Sequence, residues 1–421
     1  MIETMAGTAA GRLAAQQPAW PDPKEAASAR LSLARLPALT TPTQVGRLAE
    51  ALRGVQARQG FILHAGDCAE PFGREAVRAA GEKYRLLARM ATTISTKVGL
   101  PVITLGRIGG QFAKPRSRPT EIVNGRELPV FRGLLVNSPE PDPAARAADP
   151  ARLLTGYRTA AMILAELDRL AQLSRATPKM FGRTFRAAGG GWAHRGLWIS
   201  HEALVLDYER PLVRVDPATG EQVLLSTHLP WIGDRTRQPE GAHVALLTRI
   251  ANPVAVKLGP SAEPAEVEDL CDRLDPDARP GRLTFICRMG SSEVRRRLSP
   301  LVRAVRRAGH PVIWVCDPMH GNTRKTVSGR KTRHWADILA ELDGFVEAVG
   351  AEGQWPGGVH LEVTGQDVTE CLGRSGPADG EGLERRYESL CDPRLNGSQS
   401  LLFAEHAADR LAPFGSGKET W

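Results

Sequence analysis

Eight short, unbroken apolar runs punctuate the chain: FILHAGD (61–67), PVITLGR (101–107), LWISHE (197–202), HLPWIG (228–233), PVAVKLG (253–259), RLTFICR (282–288), PVIWVC (311–316) and GVHLEVTG (358–365). They lack the polar/apolar alternation of a half-exposed strand and read as parallel strands covered on both faces. Between several of them, apolar residues recur at three and four positions, as over 151–173 and 333–350, which is the period of an amphipathic helix. Strands alternating with helices predict βα units and a parallel sheet. Eight such units predict a closed (β/α)8 barrel of the α/β class, with a doubly wound open sheet as the second arrangement the alternation permits.

The flanks differ in pattern. Residues 1–58 read as an N-terminal helical extension, with an extended, proline-punctuated QQPAWPD (16–22) and helices over 24–34 and 43–59. The barrel is expected over 59–372. Residues 373–421 form a C-terminal segment, with helices predicted at 382–390 and 398–411 and a frayed tail, GSGKETW. Two long connections, 118–150 and 174–196, interrupt the βα scheme. The second carries Gly189, Gly190 and Gly191 and reads as a mobile loop rather than a phosphate cradle, because no helix start follows the glycines.

Composition narrows the function classes. With 421 residues, 42% of them hydrophobic, the chain has ample material for a large core. No apolar run approaches the roughly 20 residues of a membrane span, and the N-terminus lacks the basic-then-apolar order of a signal peptide. A cytoplasmic protein is expected. The six cysteines are scattered without a CxxC pair, so reduced thiols, free to bind metal, are predicted. The formal charge of +8 suits anionic small molecules and arginine-rich surfaces. Its densest stretch, SSEVRRRLSPLVRAVRRAGH, sets Val294, Leu298, Leu301, Val302 and Val305 on an apolar helical stripe, which makes the arginines a solvated face. Aromatics at 5% without basic interleaving argue against a nucleic-acid partner.

The residues closing the strands carry the chemistry. They are Cys68, Arg107, His201 with Glu202, Asp234 with Arg235, Lys257, Arg288, Asp317 to His320, and Glu362. The C-terminal ends of parallel strands are where ligands bind in such folds, and structural positions alone would mix in glycine, serine and apolar residues. Cys68, His320 and Glu362, with Asp392 returning from the C-terminal segment, form a mixed soft and hard donor set suited to Mn, Fe, Co or Zn. Arg107, Lys257, Arg288 and Arg235 are expected together on one side of the barrel mouth, as a cationic pocket for phosphate or carboxylate. Lys114, Pro115, Arg116 and Ser117, after the Gly109-Gly110 turn, could hold a second phosphate.

Long motifs then make the chain recognisable. GDCAEPF (66–72), GRIGGQFAKPRS (106–117), SHEALVLDYE (200–209), WIGDRTRQPEGAH (231–243), NPVAVKLGP (252–260), CDPMHGNT (316–323), KTRH (331–334), HLEVTGQDVTECLG (360–373) and YESLCDPRLNGSQSL (387–401) resemble those of the type II, plant-like 3-deoxy-D-arabino-heptulosonate 7-phosphate (DAHP) synthases. The resemblance runs almost end to end. It implies a (β/α)8 barrel that condenses phosphoenolpyruvate with erythrose 4-phosphate, the first step of the shikimate pathway, in a homo-oligomer, dimer or higher. It also implies a divalent metal, manganese first among the candidates, on Cys68, His320, Glu362 and Asp392. By the same resemblance Arg107, Asp234, Arg235, Lys257 and Arg288 surround phosphoenolpyruvate, Lys114 to Ser117 receive the sugar phosphate, and Lys257, Arg107 and His320 act in catalysis.

Departures from the family pattern fall beside these residues. Asp234 stands where the GERTRQ-like motif has glutamate, and the QGGDCAE-like stretch reads His64-Ala65-Gly66-Asp67-Cys68. The chain is compact for the family, which implies weak or absent feedback inhibition by aromatic amino acids and is compatible with a place in secondary metabolism. Compactness also leaves open an amino-sugar phosphate as acceptor, giving amino-DAHP. Two further readings stay open on the residues alone: a non-catalytic homologue that binds a ligand or partner enzyme, and a metal-independent aldolase using Lys257 as a Schiff base.

Overall fold

The structure is a computed structural model that describes residues 12–176 and 197–415. All eight predicted strands form: β1 (Phe61–Gly66), β2 (Val102–Arg107), β3 (Trp198–Glu202), β4 (Leu229–Ile232), β5 (Val254–Leu258), β6 (Leu283–Cys287), β7 (Val312–Cys316) and β8 (Pro356–Glu362). They close in sequential order, with β1 hydrogen-bonded to both β2 and β8, so a barrel forms rather than an open sheet. The helices longer than one turn are α1 (Pro23–Arg35), α2 (Pro42–Gln56), α3 (Gly73–Val98), α4 (Ala151–Ala176), α5 (Ala242–Leu247), α6 (Pro264–Leu274), α7 (Val294–Ala308), α8 (Trp335–Ala351) and α9 (Gly397–Gly415). The Gly189 to Gly191 loop and most of the terminal tail lie outside the described residues.

Local chemistry explains the extension. Asp22 caps α1 by accepting from Lys24 N and Glu25 N, and Thr41 forms a reciprocal capping box with Gln44, each followed by proline at the first helical position. Helix α2 then closes the N-terminal mouth of the barrel: Leu48, Ala51, Leu52 and Val55 pack with inward-facing Ile62, Ile103, Leu105, Trp231, Ile286 and Val315. Apolar residues therefore fill the lower half of the barrel interior. Side chains alternate across a strand, so the residues two beyond the upper members of this layer face inward as well: Arg107 follows Leu105, Lys257 follows Ala255, Arg288 follows Ile286, and Asp317 follows Val315. The charged strand ends thus share the parity of the apolar core.

One expected element is corrected. The predicted helix at 382–390 is only a 3-10 turn, Gly382–Arg385. Glu370 takes the backbone amides of Glu388 and Ser389 at 3.1 and 2.8 Å, and Thr369 pairs with the Arg386 backbone, so these amides are bound outside any helix. The connection 118–150 contains a hairpin, Thr120–Val123 with Arg126–Pro129. Its turn, Asn124-Gly125, has both φ angles positive, 52° and 76°, as a two-residue hairpin turn requires.

The C-terminal segment is tied to the barrel by a buried ion network. Arg394 bridges Asp67 and Glu370 at 2.8 Å each, and Lys83 also pairs with Asp67. Burial alone would raise the Asp67 carboxyl; Lys83 and Arg394 outweigh it and hold the group below its ordinary range. Asp67→Ala strands the buried Lys83 ammonium and leaves Arg394 with Glu370 alone, and is expected to cost about 3–5 kcal/mol. A fall in the denaturation midpoint beyond that of an exposed control such as Asp277→Ala checks this.

Candidate active site

A cavity of about 730 Å³ opens at the C-terminal ends of the strands and is lined by Arg107, Lys114, Arg116, Ser117, Glu202, Trp231, Asp234, Arg235, Lys257, Arg288, His320 and Asp392 among others. Beneath it lies a buried anionic group, of which His320 and Asp392 reach the cavity. Cys68, Glu362 and Asp392 bring ligand atoms within 4.8 Å of one another, and His320 Nε2 lies 3.0 Å from Glu362 Oε1. The four predicted donors therefore meet, although they come from three βα loops or strand ends and the C-terminal segment.

Each donor is held from behind. The Asp392 amide donates to Cys68 Sγ at 3.0 Å. Asp317 Oδ2 binds His320 Nδ1 at 2.7 Å, while Oδ1 accepts from the amides of Met319 and His320 at 3.1 and 3.2 Å. Pairing with the carboxylate orients the ring and sets Nε2 against Glu362. Burial lowers the His320 imidazole against the pull of Asp317 and Glu362, which favours the neutral form that ligates metals. Glu362 is ringed by Arg107, Lys114 and Arg333 at 3.2, 3.0 and 2.8 Å. His320, with Lys114 and Arg333, overcomes burial and holds its carboxyl well below the ordinary range.

Lys114 departs from expectation. Its ammonium lies not with the outer phosphate group but among the donors, 3.0 Å from Glu362, 2.7 Å from Asp392 and 3.4 Å from Cys68 Sγ. Three anionic or soft atoms facing one buried ammonium mark a point that favours positive charge. Thiol, imidazole and two carboxylates are also a recognised transition-metal donor set, so the residues fit a divalent ion.

Two of the cations converge on Trp231. Arg107 on β2 and Lys257 on β5 come from non-adjacent strands, yet both lie over the Trp231 ring, at 5.6 and 4.6 Å from its centroid. Lys257 Nζ bonds Asp317 at 2.8 Å and approaches His320 Nδ1 at 3.3 Å. Burial pushes its ammonium down to about 8 against the upward pull of Asp317. Asp234 orients Arg288 through Oδ2 at 3.2 Å, while Oδ1 accepts from Gly259 N and Arg237. Arg288 also donates to the His320 carbonyl at 3.1 Å.

Farther out, Pro115, Arg116 and Ser117 line the cavity beside Arg235, whose Nη2 is 3.4 Å from Ser117 Oγ. Their loop is set by Glu70, which accepts from the amides of Gly109, Gly110 and Gln111, each at 2.9 Å. Gly110 lacks room for a side chain, since a Cβ there would collide with the His201 ring. His201 itself faces Glu209 at 2.9 Å, outside the cavity, and only its neighbour Glu202 reaches in. The strand-end pattern does not mark Arg333, Trp231 or the barrel-interior pair His64 and His360. Arg333 sits within the KTRH motif, but Trp231, His64 and His360 sit inside apolar runs and look like core.

Comparison with known proteins supplies the relatives. The family model described as "Class-II DAHP synthetase family" matches residues 8–183 and 180–408. The chain is 39% identical over 439 residues to phospho-2-dehydro-3-deoxyheptonate aldolase AroG of Mycolicibacterium smegmatis, covering 96% of this chain and 94% of that protein. It is 40% identical over 422 residues to phospho-2-dehydro-3-deoxyheptonate aldolase of Streptomyces coelicolor, with coverage of 93% and 94%. It is 43% identical over 393 residues to a probable phospho-2-dehydro-3-deoxyheptonate aldolase of Pseudomonas fluorescens, with coverage of 92% and 93%.

Proposed function

The chain belongs to the class-II DAHP synthetase family, and from that premise we propose that it condenses phosphoenolpyruvate with erythrose 4-phosphate to DAHP and inorganic phosphate. The observation that carries the reading is the cluster of four possible metal donors, two of which, His320 and Asp392, line the same cavity as the cationic cradle around Trp231. Cys68, His320, Glu362 and Asp392 hold the divalent ion, manganese first, with cobalt, iron or zinc as substitutes. When bound there, the ion supplies Lewis-acid polarisation of the aldehyde.

The chain's own residues position the partners. Arg107, Arg288, Arg235 and Lys257 take the oxyanions of phosphoenolpyruvate, with Asp234 aiming Arg288, and Arg116 and Ser117 receive the sugar phosphate on the outer side. Fixing both phosphorylated ends makes the approach of C3 of phosphoenolpyruvate to the aldehyde carbon a positioned step. Water adds at C2 and phosphate leaves from the tetrahedral centre. Lys257, with its ammonium lowered to about 8 and paired with Asp317, is placed to stabilise the developing negative charge and to return a proton. Lys114, among the donor carboxylates at 3.0 Å from Glu362 and 2.7 Å from Asp392, adds positive charge beside them.

Product analysis tests the reading. Phosphoenolpyruvate supplied with erythrose 4-phosphate should yield DAHP and one phosphate per molecule consumed. Turnover only with the amino analogue would assign the amino-DAHP reaction, and silence with both would assign a binding role.

Family membership also supports a homo-oligomer, and the (β/α)8 body with its extension and tail supports the division into 1–58, 59–372 and 373–421. No helix among the described residues is long and apolar enough to cross a membrane. Helix α2 plugs the barrel and α1 lies against α4, so both extension helices are occupied by packing. Accordingly, phenylalanine, tyrosine and tryptophan, alone or combined, should change the initial rate by less than about twofold. Strong inhibition by any of them contradicts this.

A further inference from the structure

Below the cavity floor, β1 and β8 place His64 and His360 opposite each other in register. The two imidazoles are 1% and 0% exposed, meet edge to face with centroids 4.3 Å apart, and bring Nδ1 to Nδ1 at 2.9 Å. On the other side of its ring, His360 Nε2 faces Arg107 Nη1 at 3.0 Å.

Donor and acceptor roles along this row follow from one fact, that a guanidinium only donates. His360 Nε2 must therefore be the acceptor, and His360 carries its proton on Nδ1. That proton points at His64 Nδ1, which must accept it, so His64 carries its own proton on Nε2. His64 Nε2 has no hydrogen-bond partner among the described residues. The row thus runs in one direction, Arg107 to His360 to His64, and both rings are neutral.

Arg107 is consequently gripped from behind at two nitrogens: Nη1 by His360, and Nη2 by Glu362 at 3.2 Å. Its Nε has no partner among the described residues, and the residue lines the cavity. A fully buried guanidinium held in this way presents one defined edge to an incoming oxyanion, whereas one loosened at Nη1 can rotate about its terminal bond.

We propose that His64 is a positioning residue for phosphoenolpyruvate, accepting the His360 proton and so fixing the tautomer that holds Arg107. The proposal rests on the reading that Arg107 binds phosphoenolpyruvate. His64 touches neither substrate nor metal donors; it acts two hydrogen bonds away. An apolar residue at 64 leaves the His360 Nδ1 proton buried without an acceptor. Moving the proton to Nε2 would relieve this only by setting a donor against the Arg107 donor. A glutamine at 64 offers a carbonyl oxygen to the same proton and keeps the row intact.

The test uses metal-reconstituted full-length protein and three readouts. Titration calorimetry gives phosphoenolpyruvate affinity, steady-state kinetics give the KM for erythrose 4-phosphate, and histidine-labelled 15N spectra report the tautomers. His64→Leu should weaken phosphoenolpyruvate binding about tenfold, the scale of one lost buried hydrogen bond, while leaving the KM for erythrose 4-phosphate within about twofold. His64→Gln should restore binding to within about twofold of wild type. The wild-type spectrum should show a scalar coupling between two imidazole nitrogens across the N–H···N bond, absent in both variants.

Unchanged phosphoenolpyruvate affinity in His64→Leu overturns the proposal, as does His64→Gln as impaired as His64→Leu. A His360 proton found on Nε2 in the wild type overturns it without any variant. Failure of the catalytic reading has a separate signature: phosphoenolpyruvate binds and responds to residue 64, yet is not consumed with erythrose 4-phosphate.

Discussion

Cys68→Ser should leave the barrel folded and lower turnover at saturating substrates by at least about a thousandfold. The scale follows from Lewis-acid polarisation worth several kcal/mol, with each 1.4 kcal/mol a factor of ten. Serine nearly preserves the volume of the buried thiol, and Asp392 N can donate to its oxygen as it does to Cys68 Sγ, so stability should change little. What is lost is the one soft donor among Cys68, His320, Glu362 and Asp392. A neutral hydroxyl is a poor ligand for a transition ion, so metal content after dialysis should fall with activity. Full metal content with undiminished turnover would remove Cys68 from the donor set.

Lys257→Met should lower kcat/KM for phosphoenolpyruvate by about a hundred- to a thousandfold, the usual cost of deleting one preorganised electrostatic contact. The methionine can fill the space over Trp231, but Asp317 then loses the 2.8 Å partner that helps compensate its buried charge. Lys257→Arg should recover less than about a tenth of the loss, because a planar guanidinium neither fits the space between the Trp231 face and Asp317 nor gives up a proton near neutral pH. Wild-type kcat/KM in Lys257→Arg would reduce Lys257 to a simple point charge.

The fold was largely legible in the sequence because its strands are covered on both faces, which makes them continuous apolar runs that end abruptly in charge. The meeting of Cys68, His320 and Glu362 was legible for a related reason: each follows or closes such a run, where nothing in a core demands it. The position of Lys114 was not legible. Its neighbours Pro115, Arg116 and Ser117 do line the outer cavity, and only the path of the loop, pinned at Gly109 to Gln111 by Glu70, shows that the lysine turns inward.

His64 and His360 were hidden differently. Each lies inside an apolar run and has the appearance of a core residue until strand register sets the rings face to edge. The helix expected at 382–390 failed because a side chain outside the segment, Glu370, captures its amides, a tertiary effect that periodicity cannot contain. The hairpin at 120–129 was available in principle, since Asn124-Gly125 is a strong turn signal, but its strands have little apolar content to mark them.

The most direct test of the central claim is phosphate release from phosphoenolpyruvate and erythrose 4-phosphate by protein stripped with a chelator and then reconstituted with manganese or cobalt. The account predicts no release after stripping, recovery on adding either ion, and dependence on both substrates. Undiminished release from metal-free protein, or none from reconstituted protein whose metal content is confirmed, would contradict it.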